Sequence, residues 1–169
     1  MKQQAFLNMV MPFKDKVFRM AKRLLVSTEE AEDATQELYL KLWKNKHKLK
    51  SYKSIEAFAM TMTKNYCLDR LKSKQANNLT LVHSNYKDTH TNLDKNIELQ
   101  DSIEKIHQLI NKLPEKQRII IQLRDIEQYD YDEIAEIVQM NPTAIRVTLS
   151  RARKTIREKL KQQHAYGLG

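Results

Sequence analysis

Residues 131–160 read YDEIAEIVQMNPTAIRVTLSRARKTIREKL, and this stretch decides the fold. Asp130, just ahead of it, stands three residues before Glu133, the spacing of a capping box. That pair opens a short helix over Tyr131 to Val138. Asn141-Pro142 then supplies an N-cap and first-turn pair for a second helix reaching about Lys161. Its apolar positions Ile145, Leu149, Ala152 and Ile156 recur at helical spacing and turn inward. The turn between the helices is Gln139-Met140-Asn141. Ala135 is small where the helices cross closely, and Ile145 is apolar where the second helix packs back. Residues 131–153 therefore have the layout of a helix-turn-helix. The second helix carries Arg146, Arg151, Arg153, Lys154 and Arg157. A helix that reads DNA needs base-reading side chains in its first turns and flanking cations for phosphates. On its own the pattern also fits an ordinary hairpin with a solvated basic face, so the distribution of charge has to weigh between the two.

The chain has 30 Lys+Arg against 21 Asp+Glu, a net charge of +9, which suits a polyanionic partner such as nucleic acid. The charge is segregated. Residues 101–141 hold 5 basic and 9 acidic groups, whereas residues 142–163 hold 7 basic groups and one acid. Residues 1–75 hold 16 basic and 8 acidic groups. Patches of opposite sign point to separate binding surfaces. Only 2 Gly and 3 Pro occur among 169 residues, fewer than a nucleotide-binding sheet or a β-sandwich needs. The expectation is an all-α protein. Cys67 is the only cysteine, so no internal disulfide forms and a reducing cytosol fits. The five histidines show no paired ligand spacing, so neither a metal site nor a cofactor is expected. The N-terminus lacks the apolar run of a signal peptide or a membrane span, so no membrane insertion is expected.

Outward from the decisive stretch, Ile103, Ile106, Ile110 and Leu113 continue the helical period. Pro114 suits the first turn of a helix bearing Ile119, Ile120 and Leu123. The polar stretch 76–100 reads as a flexible linker. Before it come three helices. The first spans 5–25, with Met9, Phe13, Val17, Met20 and Leu24 on one side. Ser27 or Thr28 caps the second, whose apolar stripe is Ala31, Ala34, Leu38 and Leu42. The third runs from about Ser54 to about Ser73, has apolar residues on more than one side, and is expected to be the most buried of the three. The division is thus two small helical domains, 1–75 and 101–163, joined by the linker 76–100.

Two features of the first domain carry chemistry. Asp33, Gln36 and Glu37 lie at i, i+3 and i+4, on one helical face opposite the apolar stripe. Such a face either docks on a basic partner helix or is simply solvated. From Lys41 to Lys53 there are six lysines and no acid, with Trp43 and Tyr52 interleaved. Residues 44–54 read as a basic loop. Cations hold phosphates and aromatics stack unpaired bases. Trp43 is assigned to core packing, and Tyr52 is left open to stacking. Asn65 and Asp69, one turn apart, have no companion acid or histidine for catalysis and are read as an internal hydrogen-bonded pair or a helix clamp.

Both halves resemble the sigma-70 family of RNA polymerase sigma factors, in its extracytoplasmic-function group. AEDATQELYLKLWKNKHKL (31–49) is similar to the family's polymerase-binding helix, A-E-D-x-x-Q-E-x-F-x-x-x-W. IEAFAMTMTKNYCLDRLKSK (55–74) resembles the helix that ends its first domain. LPEKQRIIIQLRDIEQYDYDEIAEIVQMNPTAIRVTLSRARKTIREKL (113–160) resembles its second domain. The resemblance implies a non-enzymatic subunit that binds core RNA polymerase, through its clamp coiled coil and flap, and directs initiation at specific promoters. It also implies a bacterial cytoplasmic location and an anti-sigma factor that can hold the chain at the membrane. Carried over by position, Asp33, Gln36, Glu37 and Leu40 would bind polymerase. Lys46, Lys48, Lys50, Tyr52, Lys53 and Asn65 would take the melted minus-ten DNA. Thr143, Arg146, Val147, Thr148, Ser150, Arg151, Arg153, Lys154 and Arg157 would meet the minus-thirty-five duplex.

The chain departs from the family pattern at several points. Gln128 and Gln139 stand where glycine is common, and a left-handed residue at Gln139 would cost about 1–2 kcal/mol without it, so a looser turn is expected there. Thr148 stands where an arginine is usual, and Phe58 replaces a tryptophan. Two other functions compete. A free-standing helix-turn-helix regulator would normally dimerise, and it would leave the acidic face and the lysine run unexplained. A nuclease would need a carboxylate cluster that Asp69 alone does not supply.

Overall fold

The computed structural model describes residues 2–77 and 97–167, with side chains for 2–75 and 99–164. All regular elements in them are helical: α1 (Gln3–Val10), α2 (Lys14–Leu25), α3 (Thr28–Lys44), α4 (Ile55–Asn77), α5 (Ile97–Asn111), α6 (Glu115–Ile121), α7 (Tyr131–Val138) and α8 (Pro142–Gly167). The expected linker is shorter than its composition indicates, because α4 continues to Asn77 and α5 already begins at Ile97. Its remaining part, 78–96, lies outside the described residues.

The expected first helix is broken in two. Pro12 lacks an N–H and clashes with the preceding turn, so α1 stops at Val10 and a tight 3₁₀ turn, Met11–Phe13, leads into α2. Phe6, Val10, Phe13, Val17, Met20 and Leu24 still form one buried line across the break. Ser27 caps α3, its hydroxyl accepting from the Glu30 N–H at 3.3 Å. The lysine stretch is a 3₁₀ turn, Lys46–Ser51, and not an open loop: Leu49 is fully buried and pins it. The most buried helix of the first domain is α2, not α4. Six of its twelve residues are buried, because it packs against α3 and α4 and also against α6 of the second domain.

In the second domain the capping signals work as the sequence indicates. The Glu133 N–H donates to Asp130 Oδ1 at 2.8 Å, and the Ala144 N–H donates to Asn141 Oδ1 at 2.8 Å. Ile145, Leu149, Ala152 and Ile156 are buried. Ile103 and Ile106 are not, at 48% and 38% exposed; the buried part of α5 is Leu109 and Ile110, where the helix meets α6 and α8. After α6 the chain widens into a π turn, Gln122–Ile126, with the Glu127 N–H donating to the Gln122 carbonyl at 3.0 Å.

The turn of the helix-turn-helix is not loosened by its missing glycine. Gln139 takes the left-handed conformation, φ 58° and ψ 44°, and Gln128 does the same at φ 63°. The Gln139 amide donates to the Glu136 carbonyl at 2.8 Å and helps hold the strained residue. Gln139→Gly is therefore expected to stabilise the chain by about 1 kcal/mol, the relief of a left-handed side chain less the extra freedom of glycine when unfolded. Urea denaturation of the variant checks this, and an unchanged or lower midpoint would mean that the amide contact outweighs the strain.

The two domains touch. Arg19 of α2 forms a bidentate pair with Glu127, Nε to Oε1 at 2.5 Å and Nη2 to Oε2 at 3.0 Å. Arg23, only 8% exposed, donates to Gln122 Oε1 and Asn111 Oδ1, both at 2.8 Å, and lies 2.7 Å from His107 Nδ1. Burial, with the nearby Arg118 charge, lowers its pKa to about 10. Lys64 of α4 donates to the Ile137 carbonyl at 3.0 Å, close to the C-terminal end of α7, where a cation suits the helix dipole.

Candidate polymerase and nucleic-acid interfaces

On α3 the side opposite Ala31, Ala34, Leu38 and Leu42 presents Asp33, Gln36, Glu37 and Leu40, all exposed. None of these four forms a side-chain hydrogen bond or ion pair among the described residues. Leu40 is 53% exposed beside the two carboxylates, so the face combines charge with an apolar contact. Amphipathic spacing alone places the acids here; the exposure of Leu40 is the added feature.

The proposed minus-ten set gathers around the Lys46–Ser51 turn, with one exception. Lys48, Lys50 and Lys53 are exposed, while Lys46 lies over the Trp43 ring at 3.6 Å. Trp43 itself packs edge-on against Phe6, centroids 5.0 Å apart, as a core residue would. Tyr52 stacks on Phe58 at 4.0 Å with 13° between planes. Phe58, noted in the sequence only as a substitution, is thus the floor of the aromatic platform; a contact six residues away across a turn leaves no periodic signal. Tyr52, Lys53, Phe58 and Thr61 line a small cleft whose other wall is Glu136 and Gln139 of the second domain. Asn65 lies apart on α4. It and Asp69 are both exposed and share no hydrogen bond, so the expected internal pair does not form. The Cys67 thiol is buried, which pushes its pKa up to about 12 and leaves it unreactive.

On α8 the nine proposed minus-thirty-five residues divide into two groups. Thr143, Val147, Ser150, Arg151, Lys154 and Arg157 are exposed, and among the described residues their side chains form no hydrogen bond, ion pair or ring contact; Thr148 is half-buried, its hydroxyl donating to the Ala144 carbonyl at 2.8 Å. Arg146 and Arg153 are engaged within the domain. The Arg146 guanidinium lies over the Tyr131 ring at 4.6 Å, where Arg124 also stacks at 4.5 Å. Arg153 pairs bidentately with Asp125, Nη2 to Oδ1 at 2.5 Å and Nε to Oδ2 at 3.0 Å, and this bond raises its pKa. Neither arginine points straight away from the inward stripe. Each stands at the side of the helix, beside α7 or the π turn, which is why partners on other elements reach them. Tyr131 and Asp125 are functional neighbours that the sequence reading did not single out.

Among the described residues no cluster of His, Cys, Asp or Glu is placed to hold a metal ion, and no helix is long and apolar enough to cross a membrane. Residues 9–77 match the family model "Sigma-70 region 2", and residues 103–156 match "Sigma-70, region 4". The two spans follow each other in the order expected of a single sigma factor and together take in well over half of the chain. The chain belongs to the sigma-70 family, in its extracytoplasmic-function group. It is similar to the ECF RNA polymerase sigma factor SigW of Bacillus subtilis, with 26% identity over 94% of this chain and 90% of that one. The RNA polymerase sigma-H factor of Pseudomonas aeruginosa is 27% identical over 91% of this chain and 85% of its own length. In fold it resembles the sigma factor RpoE of Bartonella quintana, solved with the anti-sigma factor NepR, at a TM-score of 0.72 and 21% identity over 94% of this chain and 98% of that one. CnrH, solved with the cytosolic domain of CnrY, gives a TM-score of 0.69 at 17% identity over 95% of this chain and 90% of its own. The sigma factor therefore directs promoter-specific transcription initiation, and its relatives are not enzymes.

Proposed function

We propose that the first domain, 1–75, docks on core RNA polymerase through Asp33, Gln36, Glu37 and Leu40 and melts the minus-ten element, and that the second, 101–163, binds the minus-thirty-five duplex. The observation that carries this reading is the pair of unengaged surfaces: an acidic and apolar face on α3, and a polar, cationic outer face on α8. Opposite charge on the two faces suits a protein partner for the α3 face and DNA for the α8 face. Lys46, Lys48, Lys50, Lys53 and Tyr52 supply phosphate contacts and a stacking surface on Phe58, and Asn65 contributes from further along α4. On α8, Thr143, Val147, Ser150, Arg151, Lys154 and Arg157 meet the DNA, while Arg146, Arg153 and Thr148 contribute from its flanks. The chain acts without catalytic residues of its own. It works in the bacterial cytoplasm, and an anti-sigma factor, the kind of partner named for RpoE, restrains it and can tether it to the membrane.

Transcription in vitro tests the reading: core polymerase, this chain and a promoter library, with the transcripts sequenced. The expected result is initiation from a subset of promoters sharing two elements, and none when the chain is omitted. Tight sequence-specific binding of duplex DNA by the chain alone, with no promoter-selective transcripts, would make it a free-standing regulator instead.

A further inference from the structure

Among the described side chains of α8, Val147 is the large apolar one left in water, at 43% exposed. At 3.6 residues per turn it stands roughly 200° around the helix from Ile145, on the opposite side from the buried stripe. Lys154, seven residues on, lies almost in line with it, and Thr143, Ser150 and Arg151 surround it, all exposed. Single exposed apolar side chains are common on protein surfaces. This one is distinguished by its place: the second turn of the second helix of a helix-turn-helix, at the centre of the outward face, ringed by polar and cationic groups. Two of the arginines of α8 are drawn to the sides of the helix and do not compete for that central position. Arg146 is held over Tyr131 and Arg153 is held by Asp125.

We infer that Val147 is a specificity-determining residue that packs against the 5-methyl group of a thymine in the minus-thirty-five element. The inference rests on the proposal that the outer face of α8 enters the major groove. There the thymine 5-methyl is the distinctive apolar group on a base edge, and the other edges offer donors and acceptors that a valine cannot satisfy. Ser150 and Arg151 flank the contact with polar groups for neighbouring edges and phosphates.

The test uses holoenzyme assembled from core polymerase and the full chain, on a promoter it transcribes. Each thymine of the minus-thirty-five element, on either strand, is replaced in turn by deoxyuridine, which keeps base pairing and lacks only the methyl. Loss of that methyl at one position is expected to weaken promoter binding about fourfold, the worth of one buried methyl group. Val147→Ala, a change that an exposed helical site tolerates, is expected to abolish the thymine-uracil difference at that position and leave other positions unchanged. A minus-thirty-five element without thymine, or a thymine-uracil difference that persists in Val147→Ala, overturns the assignment. Lys154→Ala separates the two layers of the argument. If it weakens binding to all promoters while no uracil substitution matters, α8 is in the groove and the role of Val147 is wrong. If it has no effect either, the groove reading fails and the Val147 contact with it.

Discussion

Arg19→Ala is expected to weaken the contact between the two domains by about 3 kcal/mol. The Glu127 side chain is fully buried, and both of its oxygens accept from Arg19. Removing one partner of a buried pair typically costs about 3–5 kcal/mol, because the remaining charge is left without solvent or counter-ion. The lower end applies here, since Arg19 itself is 46% exposed and water already screens part of the attraction. The pair joins different domains, so the chain has an escape other than global unfolding: α2 and the π turn can separate and rehydrate the carboxylate. Small-angle scattering should therefore show a larger radius of gyration for Arg19→Ala, with each domain's helicity kept. Glu127→Gln, which removes the buried charge, should restore part of the compactness in the Arg19→Ala background. An Arg19→Ala chain as compact and as stable as the parent would mean that Glu127 finds water without separation, and the pair would be of little consequence.

That contact is also where sequence reading stops. The elements set by local chemistry were legible. Ser27, Asp130 and Asn141 each lie one residue ahead of a helix, and each accepts the backbone N–H that its position calls for. The inward stripe of α8 follows from its 3.6-residue period alone. The break at Pro12 had a local signal too, since a proline cannot continue a helix from the preceding turn, but the unbroken apolar period across it masked the break. Features set by distant neighbours left no such trace. Arg23 reads as one more surface cation until Gln122, Asn111 and His107 are brought around it from the other end of the chain. Ile103 and Ile106 share the period of Ile110, yet α6 and α8 cover only the later part of α5. A period says that one side of a helix is apolar, and not how much of that side has something packed on it.

The same distinction bears on the candidate sites. Asp33 and Glu37 were placed on one face by spacing, and the face is free because nothing in either domain folds over it. Asp33→Lys combined with Glu37→Lys is expected to abolish binding to core polymerase. Reversing two charges in a contact replaces attraction with repulsion, a change worth several kcal/mol and on the order of a hundredfold or more in affinity. The fold should survive. Both side chains are exposed, and Asp33 lies beyond the first turn of α3, where the helix dipole has largely faded. The melting temperature of the double variant should accordingly stay close to that of the parent. Leu40→Ala gives a graded control: it removes an exposed apolar contact without adding charge, and should weaken polymerase binding without eliminating it. Fluorescence anisotropy of the labelled chain against core enzyme reads all three. If the double variant bound core polymerase with the parent's affinity, the α3 face would not be the docking surface. Another amphipathic feature with exposed apolar groups, the Ile103–Ile106 side of α5, would then be the next surface to alter.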